Sequence, residues 1–307
     1  MCSGLEIRKS ILLKKLKGNK NKYKKYLEAP IRYAGGKSWA VGYVIENIPN
    51  NIKRIVSPFL GGGSIEVAIA KELNINVIAY DIFDIHVIFW QQLLKNKEEL
   101  LKELKALYPN EKTYTEVKNI LKKHFEKKIT LTDTKLSAYY FFNHNLSYGP
   151  SFLGWRSRVY LNVDSYGKMI EKIEKFKAQK LSVNVGSFEE TIPKHKNDFL
   201  YCDPPYYIGK DSNVFTGIYP NRNFPIYHKN FNHLKLKELL ENHKCGFILS
   251  YNDCDTIREW YKKYKIIEIE TNYSLGLGET RIGKNRTKNK QTNNKKTKEL
   301  LIIKNYD

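Results

Sequence analysis

The stretch between residues 52 and 81 restricts the possible folds more than any other part of this chain. A short apolar run at 52–56 leads into Ser57-Pro58-Phe59-Leu60-Gly61-Gly62-Gly63. Residues 64–73 then carry apolar side chains at helical spacing, and a second apolar run at 76–80 ends at Asp81. Strand, glycine turn, helix and strand in that order make a βαβ unit, whose crossover keeps the two strands parallel. Further strand-sized runs at 181–185, 198–202, 246–251 and 266–272, a helical pattern at 231–242 and a last apolar run at 300–303 extend this to an α/β sheet.

Between 89 and 180 the texture changes. Lys- and Glu-rich helical patterns at 91–107, 114–125 and 132–142 precede a loop rich in Gly, Trp and Arg at 143–158. That stretch reads as an insert into the sheet-forming chain. Residues 1–28 are Lys-rich and interrupted by Gly18-Asn19, and read as a loosely held basic extension. The expected organisation is therefore an extension at 1–28, a core domain from 29–88 and 181–307, and an inserted domain at 89–180. A polar, basic stretch at 274–298 separates the last two strands, and long loops of this kind are usually functional or disordered.

The glycines after the first strand let the backbone turn tightly and approach a ligand closely. About 20 residues on, Asp81 ends the next strand, where nucleotide-binding sheets hold a carboxylate against ribose hydroxyls. Taken alone, the pattern equally fits an ordinary turn and a solvated strand-end acid. Gly35-Gly36-Lys37-Ser38 resembles the end of a phosphate-binding loop. The first glycine of that motif falls on Ile31, however, and no apolar strand leads in, which argues against a nucleotidase or kinase.

The run 198–202 delivers Asp203-Pro204-Pro205-Tyr206 at its carboxyl end, where open α/β sheets bind ligands. These residue types suit methylation of an exocyclic amine. The N6 lone pair of adenine is delocalised into the ring, so the amine is a poor nucleophile. A carboxylate from Asp203 and the Pro204 carbonyl, each accepting one N–H, would favour a pyramidal nitrogen with its lone pair aimed at a methyl donor. The prolines stiffen that geometry by fixing φ, and Tyr206 offers a ring on which a flipped base can stack. The competing reading is a Pro-Pro turn after a core strand with an incidental acid.

Taken together, these motifs resemble the D12 class, Dam-like family of N6-adenine DNA methyltransferases. Arg32-Tyr33-Ala34-Gly35-Gly36-Lys37 looks like its N-terminal cofactor motif, Phe59-x-Gly61-x-Gly63 like its S-adenosylmethionine loop, Asp81 like its ribose carboxylate and Asp203 to Tyr206 like its catalytic tetrad. Lys298-Glu299-Leu300-Leu301-Ile302 looks like its closing strand. The motif order, cofactor loop first and tetrad last, is that of the family's α group. The resemblance implies a Rossmann-like S-adenosylmethionine-dependent methyltransferase fold, with a mostly parallel seven-stranded sheet, an antiparallel last strand and a mainly helical target-recognition insert.

The resemblance also implies roles. Tyr33, Gly36 and Lys37 would line the cofactor pocket, with Asp203 at its edge. Phe59, Gly61 and Gly63 would cradle the methionine end, Asp81 would hold the ribose, and Phe188 would lie against the adenine. Similar enzymes often carry Asp before that Phe, where this chain has Ser187. Double-stranded DNA is the implied partner. In the loop Asn143-His144-Asn145-Leu146-Ser147-Tyr148 and in Trp155-Arg156-Ser157-Arg158, Asn145, Ser147, Arg156 and Arg158 would read base edges, with Tyr148 as a wedge or stacking ring. Lys284, Arg286, Lys288 and Lys290 in the basic stretch, with Lys295 and Lys296, would clamp phosphates.

Bulk properties agree with an anionic partner. The formal net charge is +21, although Lys far outnumbers Arg, which an AT-rich coding sequence would also produce. The longest apolar stretches are strand-sized, far below the roughly 20 residues of a membrane-spanning helix. Cys2, Cys202, Cys245 and Cys254 show no disulfide or zinc spacing, and the histidines no metal-ligand spacing, so a reduced, intracellular and metal-free protein is expected, acting as a monomer without an obligate protein partner. Rival readings are methylation of cytosine N4, protein glutamine or RNA adenine, and a non-catalytic DNA-binding module. The first two typically carry Ser or Asn in place of Asp203.

Overall fold

The computed structural model describes residues 4–19, 22–209, 231–273 and 295–305. Lys284, Arg286, Lys288 and Lys290 lie outside the described residues, and so does Cys2.

Seven strands form one sheet: β1 (Arg54–Ser57), β2 (Asn76–Asp81), β3 (Leu181–Val185), β4 (Phe199–Cys202), β5 (Phe247–Asn252), β6 (Lys265–Tyr273) and β7 (Lys295–Lys304). Their order is β3-β2-β1-β4-β5-β7-β6. The β3-to-β5 part is parallel, whereas β7 runs antiparallel to both β5 and β6. All four residues of β4 and all six of β5 are buried. Central strands covered on both faces need uninterrupted apolar runs rather than alternation, and the sequence supplies them. This is the expected mixed α/β sheet.

The register sets up the site. Ile55 pairs with Phe199 and Val56 with Leu200, so β1 and β4 are direct neighbours although all of residues 89–180 separate them in sequence. The chain leaves β1 toward β2 on one side, and β4 lies on the other. Such a reversal opens a crevice at the carboxyl ends of the strands. There the glycine loop after β1 meets the tetrad after β4.

Helices α1 (Gly4–Leu16), α2 (Val41–Asn47) and α3 (Ser64–Glu72) come first; α4 (Asp84–Lys95) runs across the expected boundary at 88/89; α5 (Lys97–Lys105), α6 (Glu111–Phe125), α7 (Asp133–Asn145) and α8 (Val163–Lys175) fall within 89–180; and α9 (Phe188–Lys194), α10 (His233–Glu241) and α11 (Asp255–Trp260) follow among the later strands. The single helix expected over 91–107 is two, because Asn96 leaves helical geometry at φ −129° and ψ 41°. Its first half, α4, starts earlier and buries Ile85, Val87, Phe89 and Trp90. Those side chains join the insert residues Tyr140, Phe141 and Phe142 in one apolar core with Val77, Ala79 and Val183 of the sheet. Residues within 89–180 therefore share one continuous apolar core with the sheet.

The N-terminal segment differs from the expectation of a loose extension. Leu12 and Leu16 of α1 are buried against the same core, Arg8 donates to the Leu73 carbonyl at 3.2 Å, and the Tyr26 hydroxyl donates to Glu72 at 3.1 Å. The apolar stripe of α1 is narrow, which hides it from periodicity. It is sufficient because α2 and α3 offer a matching surface.

Candidate active site

One cavity of about 630 Å³ opens at the β1–β4 crevice, within the ~300–1,000 Å³ typical of small-molecule sites. Every residue expected in the cofactor and catalytic groups lines it, from Tyr33, Gly36 and Lys37 through Phe59, Gly61, Gly63, Asp81 and Phe188 to Asp203, Pro204 and Tyr206.

The glycine loop owes its shape to two positions. Gly61 and Gly63 have φ of 48° and 67°, the left-handed region that side chains disfavour. A Cβ on Gly63 would also come within 2.6 Å of the Trp90 ring. Gly63 caps α3, whose first turn consequently faces the cavity. The loop is tied to the next strand by Asp81, whose carboxylate accepts from the Gly61 amide at 3.1 Å and from the Phe83 amide at 3.0 Å. Behind it, buried His86 donates from Nε2 to the Gly61 carbonyl at 2.7 Å and accepts at Nδ1 from the Tyr140 hydroxyl at 3.0 Å. Burial lowers the His86 pKa and favours this neutral form.

At one end of the cavity Phe59 and Phe188 stand 5.6 Å apart between ring centroids, and Phe231 closes on both at 5.8 and 4.9 Å. Ile82 and Val185, exposed apolar residues at the ends of β2 and β3, border it. Ser187 caps α9, accepting from the Glu189 amide at 3.2 Å.

At the other end, the Lys37 ammonium lies 2.8 Å from Asp203 Oδ1 and donates to the Tyr206 hydroxyl at 3.1 Å. The Tyr206 hydroxyl in turn donates to the Glu299 carboxylate of β7, which lies 3.9 Å from Lys37. Burial raises the Asp203 pKa, and the adjacent Lys37 charge and hydrogen bond oppose that rise. Glu66, buried in α3 and touching the same cavity, accepts from the Ser57 hydroxyl at 2.6 Å. Desolvation still pushes its carboxyl up to about 8.

The sequence profile of the D12 class N6 adenine-specific DNA methyltransferase family matches residues 33–275, which include both motif loops. The chain belongs to that family. It is 25% identical over 283 residues to the type II methyltransferase M.FokI of Planomicrobium okeanokoites, covering 85% of this chain and 42% of that protein. It is 23% identical over 302 residues to the modification methylase StsI of Streptococcus sanguinis, covering 92% of this chain and 44% of that one. The chain thus spans less than half the length of these relatives.

Among D12 class features, the loop after α7 departs most from expectation. Asn145 and Ser147, expected to read base edges, are buried and spent internally. Asn145 accepts from the Arg32 amide at 2.9 Å and donates to the Phe141 carbonyl at 2.9 Å. Ser147 donates to carbonyls of His144 and Gly149 and accepts from the Ser151 amide. These short polar side chains satisfy the backbone of a tight turn, where few other partners reach. The turn is closed by a Tyr148 amide to Trp155 carbonyl bond of 2.6 Å and a Ser157 amide to Leu146 carbonyl bond of 2.8 Å. Trp155 projects from it with 65% of its surface exposed. Arg156 is also exposed and pairs with Glu111 at 2.6 Å, Arg158 is exposed, and Tyr148 is half-buried. Pro150, Ser151 and Phe152 in the same loop line the cavity.

Sequence reading also missed Phe231, Glu66, His86 and Glu299 as members of the site. Only Glu299 left a signal, an acid set in an apolar strand run; the other three enter through tertiary contacts.

Proposed function

We propose that this chain is an adenine-specific DNA methyltransferase that transfers the methyl group of S-adenosylmethionine to N6 of an adenine flipped out of duplex DNA. The observation that carries this is the convergence, in one cavity, of the Gly61–Gly63 loop after β1 and of Asp203 after β4.

The residues present fit the cofactor. Gly61, Gly62 and Gly63 line the cavity with backbone alone, which lets a ligand approach the chain closely, and Asp81 at the end of β2 suits ribose hydroxyls. Phe59, Phe188 and Phe231, with Ile82 and Val185, suit an adenine ring. Asp81, Asp84 and Glu189 make the lining acidic, which favours a sulfonium and an ammonium. When bound, S-adenosylmethionine supplies an electrophilic methyl group. Lys37 holds Asp203 ionised and oriented, Asp203 and the Pro204 carbonyl each accept one N–H of the target amine, and Tyr206 supports the base.

Residues 89–180 are proposed as the target-recognition region, with Tyr148, Trp155, Arg156 and Arg158 facing DNA and the basic stretch containing Lys284, Arg286, Lys288 and Lys290 on phosphates. The exposed Trp155 beside a cavity-lining loop supports this. By analogy with its relatives the role is DNA modification, in a restriction-modification system or in marking host DNA. The protein is read as an intracellular monomer, and no described helix is long and apolar enough to cross a membrane.

The deciding experiment is tritium transfer from labelled S-adenosylmethionine to unmethylated duplex DNA by wild type and Asp203→Ala. Label should appear in N6-methyladenine with wild type alone. Equal labelling by both proteins would remove Asp203 from the chemistry, and label in cytosine would overturn the substrate.

A further inference from the structure

Tyr206 and Tyr207 are held by two residues that face each other across one rung of the sheet. Asn252 at the end of β5 and Glu299 of β7 are direct register partners in an antiparallel pair, so their side chains share a face and lie close together. Asn252 Oδ1 accepts from the Tyr207 amide at 2.8 Å, and its Nδ2 donates to the Tyr207 carbonyl at 3.1 Å. Glu299 accepts the Tyr206 hydroxyl. One rung therefore grips the backbone of one tyrosine and the ring of the one before it.

We infer that Asn252 and Glu299 are positioning residues that set where Tyr206 stands relative to Asp203, and so orient the base presented to that carboxylate. The inference rests on the proposed adenine methylation and deepens it.

Three observations lead here. The first is energetic. Glu299 is only 2% exposed, and burying a carboxylate costs several kcal/mol of desolvation that an apolar residue on the same strand avoids. Leu300, Leu301 and Ile302 follow it in the strand and are all buried, so packing alone would be served by another aliphatic residue. The second is geometric. Tyr206 is 4% exposed yet lines the cavity, with its hydroxyl between Lys37 and Glu299. A ring pinned at its polar end keeps one orientation, which a stacking surface for a base requires. The third is mechanical. Only two prolines separate Asp203 from Tyr206, and their fixed φ angles transmit a constraint on one end to the other. Lys37 closes the circuit by touching both ends.

The test combines kinetics with a reading of the free protein. Transfer from labelled S-adenosylmethionine to unmethylated duplex DNA is measured for Glu299→Ala, Glu299→Gln, Tyr206→Phe and the double variant Tyr206→Phe/Glu299→Ala. Losing a charge-assisted hydrogen bond should lower kcat by about tenfold or more in Glu299→Ala while cofactor Kd stays within about twofold. Glu299→Gln, which keeps an acceptor, should return kcat to within about threefold of wild type. Because the two side chains act through one bond, the double variant should be no slower than the slower single one. Multiplying losses, or an unchanged kcat in Glu299→Ala, would overturn the inference. Should Glu299→Ala not fold, Tyr206→Phe, which removes the same hydrogen bond, should show the tenfold loss by itself, and an unchanged kcat there would overturn the inference. Independently, the 19F resonance of fluorotyrosine at position 206 should move in DNA-free Glu299→Gln and Asn252→Ala. An unmoved resonance overturns the clamp, whereas wild type that methylates no duplex DNA overturns the proposed function and leaves the resonance to decide the clamp.

Discussion

The Lys37 ammonium lies 2.8 Å from Asp203 Oδ1, with 5% of the lysine side chain exposed. An N-terminal loop and the carboxyl end of β4 are thereby joined by a buried ion pair at the centre of the site. In the proposed reaction a carboxylate would accept the target N–H more strongly than the protonated acid, and Lys37 opposes the rise in pKa that burial imposes on Asp203. Lys37→Gln should therefore move the acid limb of the kcat/KM profile to higher pH. The rate at pH 7 should fall by about tenfold or more and partly recover under alkaline conditions. An acid limb that stays in place would show that Lys37 acts elsewhere.

Glu66 makes stability depend on pH in the opposite sense from a surface acid. Its folded pKa, raised to about 8 by burial, exceeds the ordinary carboxylate value. Below the ordinary value both folded and unfolded forms are protonated and the group has no effect. As pH rises toward 8 the unfolded chain releases this proton while the folded one retains it, so stability falls. Glu66→Gln keeps an acceptor for Ser57 and should be more stable than wild type by about 1 to 3 kcal/mol at pH 8, with the gap closing near pH 4.5. Urea melts at the two pH values measure this, and a gap that widens on acidification contradicts it.

Gly63→Ala combines two penalties. The position needs φ of 67°, and the added Cβ would come within 2.6 Å of the buried Trp90 ring. Left-handed backbone and overpacking together should lower stability by about 2 to 4 kcal/mol. Cofactor affinity should fall as well, since α3 starts at this residue. Calorimetry of S-adenosylmethionine binding, with a thermal melt alongside, reads both effects.

Trp155→Ala and Arg158→Ala test the loop after α7. Both side chains are exposed, so neither change should alter the melting temperature appreciably. Each should weaken duplex DNA binding by about tenfold, the scale of one stacking or base-edge contact, and leave cofactor affinity unchanged. Asn145→Ala should behave differently and destabilise the fold by about 1 to 3 kcal/mol, because it would leave the Arg32 amide without its acceptor. If Asn145→Ala is as stable as wild type and weakens DNA binding alone, our view of this loop is wrong.

The sequence by itself determined the sheet, because central strands buried on both faces demand contiguous apolar runs and each of the seven strands overlaps such a run within a few residues. It also determined which short segments would meet. Strand, glycine turn and terminal acid follow one another locally, and Asp203 follows β4 directly. It left α1, α2, α8, α9 and α11 unseen, since few of their side chains are buried or the helices are short. What only the tertiary structure decided depends on partners far apart in the chain. Burial turned Asn145 and Ser147 from candidate readers of DNA into fasteners of their own loop. It drew His86 to the Gly61 carbonyl and raised the proton affinity of Glu66. The β5–β7 register brought Glu299 to Tyr206. Polar side chains carry no periodic signature of the group they will satisfy, and that group exists only once the strands and helices have packed.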